Sequence, residues 1–251
     1  MNAMLTRIVL YGGYYSPYRY GRGIYFDWTF LLLIAGALVC AIASSVMHSY
    51  TAKYSSVAAS SGVTGAQAAQ MILQRAGVRG VFVKPVSGNL TDHYDPRTKT
   101  VNLGEESYQK TSLTGIGVAA HECGHAIQDA EGFALLKLRS QIVPVVNIGS
   151  SLAWPIFLGG LIFSVQPLVT LGIVLFSLAV LFQLVTLPVE IDASRRAMKL
   201  LSETGLLREN ETAGAKKVLT AAAMTYVAAL LSSVLQMARL ILIARGNRRN
   251  D

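Results

Sequence analysis

Hydrophobic and polar positions along the chain separate into long uncharged runs and shorter mixed stretches. Trp28 to Met47 is almost wholly apolar, and a run of 20 such residues is long enough to cross roughly 30 Å of hydrocarbon. Val143 to Ser164 is apolar but broken by Asn147, Ser150, Ser151 and Pro155. Gln166-Pro167 predicts a tight turn, and Leu168 to Leu187 is a further uncharged run closed by Pro188. Those two runs predict a transmembrane hairpin. Val218 to Ala244 is again apolar and rich in small residues, as at Ala221 to Ala223 and Ala228-Ala229, which let helices pack closely in lipid.

The mixed stretches predict a small soluble part. Thr64 and Gln67 form a capping box that opens a helix through about Ala76, ended by Gly77. Val81-Phe82-Val83 predicts a short strand stopped by Pro85, followed by a turn at Ser87-Gly88-Asn89. Leu90 to Tyr94 and Lys99 to Leu103 predict two strands joined around Asp95-Pro96-Arg97. This part is too small to bury a strong core alone, so it must pack on the next helix. That helix is capped by Thr111 or Ser112 and ended by Gly132, with an apolar stripe at Leu113, Ile116, Gly117 and Ala120. Glu190 to about Ser202 predicts a polar helical segment.

The expected fold is therefore a mainly α integral membrane protein with about four transmembrane helices and a small α+β domain. Its parts are an exposed leader (1–27), a first span (28–48), the soluble domain with its motif helix (49–142) and the hairpin (143–187). A polar helical segment (188–217), a last span (218–244) and a basic tail (245–251) follow. The leader and first span have a second reading as a signal peptide with Ala41-Ile42-Ala43 as cleavage site; the later spans need no such export signal.

Composition agrees with a membrane setting. The chain is 52% hydrophobic and 14% charged, with mean hydropathy +0.44, whereas soluble domains average about 25% charged. The net charge is +8, and the basic residues flank the apolar runs. Anionic lipid head groups, not nucleic acid, are the expected partner. Cys40 and Cys123 make no disulfide framework.

The chemistry is concentrated in His121-Glu122-Cys123-Gly124-His125. Histidines four apart on a helix face the same way, so both imidazoles can reach one metal ion. Glu122 then projects beside the ion, where it can take a proton from water. Cys123 points to the far side of the helix and reads as packing. Zinc hydrolases need a third protein ligand. Asp129 lies about 9 Å along the helix axis from the level of residue 123, at about 1.5 Å per residue, beyond the reach of its short side chain. Asp129 and Glu131 are thus set aside, and the ligand is expected from a second helix. Glu190, just after a span and on the motif's side of the membrane, is best placed; its other reading is a surface carboxylate paired with Arg195 or Arg196.

Three segments carry a resemblance. They are Leu90-Thr91-Asp92-His93-Tyr94-Asp95-Pro96-Arg97, Val118-Ala119-Ala120-His121-Glu122-Cys123-Gly124-His125-Ala126-Ile127-Gln128 and Thr186-Leu187-Pro188-Val189-Glu190-Ile191-Asp192-Ala193-Ser194-Arg195-Arg196-Ala197. With Ala221 to Ala228 they resemble the YugP family of bacterial membrane zinc metallopeptidases, over most of the chain from about residue 50. Glu190 to Ser194 is more distantly similar to the E-x-x-A-D element of the prenyl-protein and heat-shock membrane endopeptidases. The resemblance implies a zincin-like catalytic domain holding one Zn2+ by His121, His125 and Glu190, with Glu122 as the catalytic base. It implies a bacterial plasma-membrane protease acting on protein or peptide substrates, membrane or membrane-associated proteins among them. Ser194 stands where those relatives carry aspartate, so support of the site is expected to differ.

Donors for the oxyanion or substrate are sought at His93, Tyr94 and Tyr226. An edge strand near Val101 to Leu103 is expected to bind substrate by strand addition. Two other classes share the motif: a site-2-type intramembrane protease and a membrane scaffold with a structural metal. The first expects the motif inside a span and an aspartate from a later span; here Gln128, Asp129 and Glu131 follow directly, and no later span contains an aspartate. Basic residues flank both faces nearly equally, and similarity to the E-x-x-A-D relatives favours a cytosolic catalytic face.

Overall fold

The computed structural model describes residues 28–88 and 91–248. The expected leader, Leu90 and Arg249 lie outside the described residues. In chain order the elements are α1 (Phe30–Ser55), α2 (Gly65–Arg75), β1 (Phe82–Val86), β2 (His93–Asp95), β3 (Thr100–Gly104) and α3 (Glu105–Gln109). Then come α4 (Leu113–Ala130), α5 (Ala134–Ile162), α6 (Gln166–Thr204) and α7 (Glu209–Arg248). The architecture is mainly α with a small α+β part.

Helices α1, α5, α6 and α7 are long and apolar enough to cross a membrane. Their large side chains point outward, including Leu38, Ile42, Ile148, Ile162, Val174 and Leu184. Each would forgo about 1.5–3 kcal/mol by facing water, a loss that acyl chains remove.

The helices run further than the apolar runs suggest. The first continues to Ser55 instead of ending near residue 48. Residues 134–140, expected within the soluble domain, are the opening turns of α5. Gln166-Pro167 begins α6 with proline in its first turn, where its missing N–H is no loss. Pro188 does not close the third span: α6 passes through it to Thr204. A proline in a helix frees one carbonyl and strains one turn, and neighbouring groups in a membrane bundle compensate for this. The 39 residues of α6 make a rod about 58 Å long at ~1.5 Å per residue, so its second half projects past the apolar run. α7 likewise begins at Glu209 and absorbs Gly214. A side chain at Gly214 would lie 2.8 Å from the Tyr54 ring and 3.0 Å from Leu113.

The sheet has the order β1-β3-β2. β1 pairs parallel with β3, and β2 pairs antiparallel with it. β3 is therefore central, with a partner on each side, and Val101 to Leu103 offers no free edge. The expectation of strand addition there is overturned. β1 continues through Pro85, opposite Leu103; on an edge strand the absent N–H can face away from the ladder.

The soluble core joins α2, β3 and α4 through Ile72, Val101, Leu103 and Ile116. It is completed by Ala197, Leu200 and Leu201 of the projecting end of α6, and by Ala215 and Leu219 of α7. The small sheet thus packs on the motif helix, as its size required, and on the ends of two spanning helices. α2 starts with the expected capping box: Thr64 Oγ1 accepts the Gln67 N–H at 3.3 Å, and Gln67 Oε1 accepts the Thr64 N–H at 2.9 Å.

Candidate metal centre

α4 begins at Ser112, whose hydroxyl oxygen accepts the Gly115 N–H at 3.1 Å. Leu113, Ile116, Ala119, Ala120 and Cys123 are buried, which turns His121 and His125 the other way. Their rings lie 4.8 Å apart at 81°, edge to face. Cys123 is fully buried and its Sγ lies 3.5 Å from the Ala69 carbonyl oxygen. Burial, with the Glu122 carboxylate next in weight, pushes its thiol far above the ordinary range. It packs, as its position on the helix requires.

Glu190 arrives from α6. Its Oε2 lies 3.2 Å from His121 Nε2 and 3.6 Å from His125 Nε2. One donor atom from each of the three residues falls within 4.8 Å of the others. Ligands about 2.0–2.1 Å from a tetrahedral ion stand roughly 3.3 Å apart, so two imidazoles and a carboxylate at these spacings fit zinc in both chemistry and reach. The approach depends on Gly124: a Cβ there would lie 2.5 Å from the Ala193 carbonyl oxygen of α6. Backbone meets backbone at this crossing, and the three candidate ligands come together beside it.

Each donor is held from behind. His121 Nδ1 lies 3.2 Å from Ser194 Oγ, so serine occupies the supporting position in question. His125 Nδ1 donates to Gln128 Oε1 at 3.0 Å. The Gln128 amide, fully buried, donates to the Val189 carbonyl and to Asp192 Oδ2, both at 2.9 Å. Arg196 then donates to Asp192 at 2.6 Å and to Glu131 at 2.7 Å. Glu190 Oε1 accepts from Arg139 Nη1 at 2.7 Å. With Nδ1 engaged on each ring, Nε2 is the atom left to face the Glu190 carboxylate. Burial opposes charging His125, but the Glu190 hydrogen bond and the Glu122 charge outweigh it and hold its pKa above the ordinary imidazole value.

Glu122 is buried and lines a cavity of about 230 Å³ with all three of these residues. Asp92, His93, Tyr94 and Pro96 form one side of it, and Leu136, Arg139, Ser140, Val143 and Tyr226 another. His93 therefore reaches the cavity, but its Nδ1 lies 2.8 Å from the Thr91 carbonyl and its Nε2 lies 3.2 Å from Asn102 Nδ2. Tyr94 donates its hydroxyl to Asp129 at 2.7 Å. Burial and that carboxylate push its phenol well above the ordinary range. Tyr226 enters from α7. Asp129 and Glu131 are engaged with Tyr94 and Arg196, away from the triad. The expected alternative for Glu190, a pair with Arg195 or Arg196, is not seen: Arg196 holds Asp192 and Glu131.

Sequence reasoning missed Arg139 and Gln128. Gln128 had a signal: it lies three residues after His125 and shares its helix face. Arg139 had a weaker one, as a cation at the mouth of an apolar helix that needs a partner.

No solved structure matches the chain. Among curated proteins it is 50% identical over 196 residues to "Putative membrane protease YugP" of Bacillus subtilis (strain 168), covering 78% of this chain and 87% of the relative. A family match runs from residue 29 to 245, across α1, the triad and α7, and by it the chain belongs to the family described as "Putative neutral zinc metallopeptidase".

Proposed function

We propose that the protein is a membrane-embedded, zinc-dependent endopeptidase in which His121, His125 and Glu190 hold the ion and Glu122 is the catalytic base. The observation that carries this reading is the convergence of His121 Nε2, His125 Nε2 and Glu190 Oε2. Zinc, when bound, supplies Lewis-acid activation of water and polarises the scissile carbonyl. Glu122 takes the proton of the attacking water and delivers it to the leaving amine. Its burial in the cavity wall keeps bulk water from competing for that proton.

The oxyanion needs a further donor. Tyr226 fits best of the three tyrosine and histidine residues considered: it lines the cavity and its hydroxyl is hydrogen-bonded to the Glu190 carboxylate, whereas His93 and Tyr94 are engaged with Thr91, Asn102 and Asp129, away from the triad. β2, on the cavity side of the sheet, supplies the open edge along which an extended substrate would lie. Residues of spanning helices α5 and α7 also line the cavity, which favours membrane or membrane-associated proteins as substrates. The reading places the site at the bilayer surface of the bacterial plasma membrane, on its cytosolic face. The motif lies on α4, which is not among the helices apolar enough to span; this weighs against a site-2-type protease.

Metal analysis of the purified protein beside Glu190→Ala tests the reading. Zinc is expected to bind the wild type and to be lost, or bound far more weakly, in the variant. Equal zinc content and affinity would contradict it.

A further inference from the structure

The Glu190 carboxylate has two oxygens with different surroundings. Oε2 faces both imidazoles, at 3.2 and 3.6 Å. Oε1 accepts from Arg139 Nη1 at 2.7 Å. The Glu190 side chain is 2% exposed, so an oxygen that lost its partner would be left as a buried, unpaired charge. Arg139 comes from α5, a spanning helix that gives no ligand to the triad. It is the one lysine or arginine lining the cavity among the described residues.

We propose that Arg139 is a positioning residue of the metal site: by holding Oε1 it fixes the carboxylate so that Oε2 alone is offered to the ion. This rests on the His121–His125–Glu190 reading above. A carboxylate can bind a metal through one oxygen or two, and its torsion decides which. The two imidazoles have their own holders in Ser194 and Gln128; Arg139 does the same for the third donor. The guanidinium suits the task because its planar fork and permanent charge fix direction as well as distance. The site is thereby tied to the docking of α5 against α6, since without α5 in place Glu190 loses its only cationic side-chain partner among the described residues and keeps the histidines and the Tyr226 hydroxyl of α7.

The test uses the full chain in detergent or nanodiscs, stripped of metal and titrated with Co2+ and Zn2+. Wild type is compared with Arg139→Met, Arg139→Lys and Glu190→Ala. The wild type is expected to give the intense visible bands of four-coordinate cobalt. Arg139→Met is expected to give the weaker bands of a five-coordinate ion, as the freed carboxylate uses both oxygens, and to bind zinc about 10–100-fold more weakly. Arg139→Lys, which keeps the charge, is expected to recover part of both. Should Arg139→Met fail to fold, Arg139→Gln is read by the same criterion. An unchanged spectrum and affinity in a folded Arg139→Met or Arg139→Gln, beside an altered Glu190→Ala, overturns the role of Arg139 alone. A cobalt spectrum indifferent to Glu190→Ala overturns the ligand assignment, and this proposal with it.

Discussion

Gly124 of α4 faces the Ala193 carbonyl of α6 so closely that a methyl group on Gly124 would sit 2.5 Å from that oxygen. The contact sits between His121 and His125 on one helix and three residues past Glu190 on the other. It sets the distance across which the carboxylate must reach. Gly124→Ala must force the helices apart, and overpacking of this kind costs about 1–3 kcal/mol. We expect a lower unfolding midpoint and weaker zinc binding together. Thermal unfolding and a zinc competition titration on the same sample check this; a destabilised variant with wild-type zinc affinity would show that the crossing does not set the site.

Gln128 joins His125 to α6 through hydrogen bonds at 3.0 and 2.9 Å. Gln128→Ala leaves the buried His125 Nδ1–H without its acceptor and removes a donor from the Val189 carbonyl, at about 1–3 kcal/mol for a buried group left unsatisfied, while Asp192 keeps Arg196. Zinc affinity is expected to fall about 10–100-fold, as read by competition with a chelating dye. Gln128→Glu keeps an acceptor for His125 and is expected to lose less.

Ser194 holds His121 Nδ1 at 3.2 Å. A neutral hydroxyl orients the ring less firmly than a carboxylate, whose hydrogen bond would be charge-assisted. Ser194→Ala is therefore expected to weaken zinc binding, and Ser194→Asp to strengthen it or leave it unchanged. Dissociation rates of the ion from the three proteins give the order directly; Ser194→Ala releasing zinc no faster than wild type would remove Ser194 from the account.

Local pattern made much of this legible. The apolar runs predicted four spans, the capping box predicted α2 to within a residue, and the spacing of His121 and His125 predicted their common face. Glu190 was reachable because it follows a span on the motif's side. Long-range pairing was not legible. Strand order depends on which edges meet in three dimensions, so nothing in Val101 to Leu103 says that both its flanks are covered. Pro188 reads as a stop because proline breaks isolated helices in water, yet in a bundle α6 carries through it. Arg139 meets Glu190 across 51 residues of chain, and only the docking of α5 on α6 brings them together.

The central claim is that Glu122 serves as base at a zinc site it does not help to build. Its most direct test is zinc content and cleavage of a casein or membrane-protein substrate, measured on Glu122→Gln beside wild type. The account predicts unchanged zinc and a loss of cleavage of at least about 10²–10⁴-fold, the range for a positioned acid–base group. Cleavage that survives the substitution would contradict it.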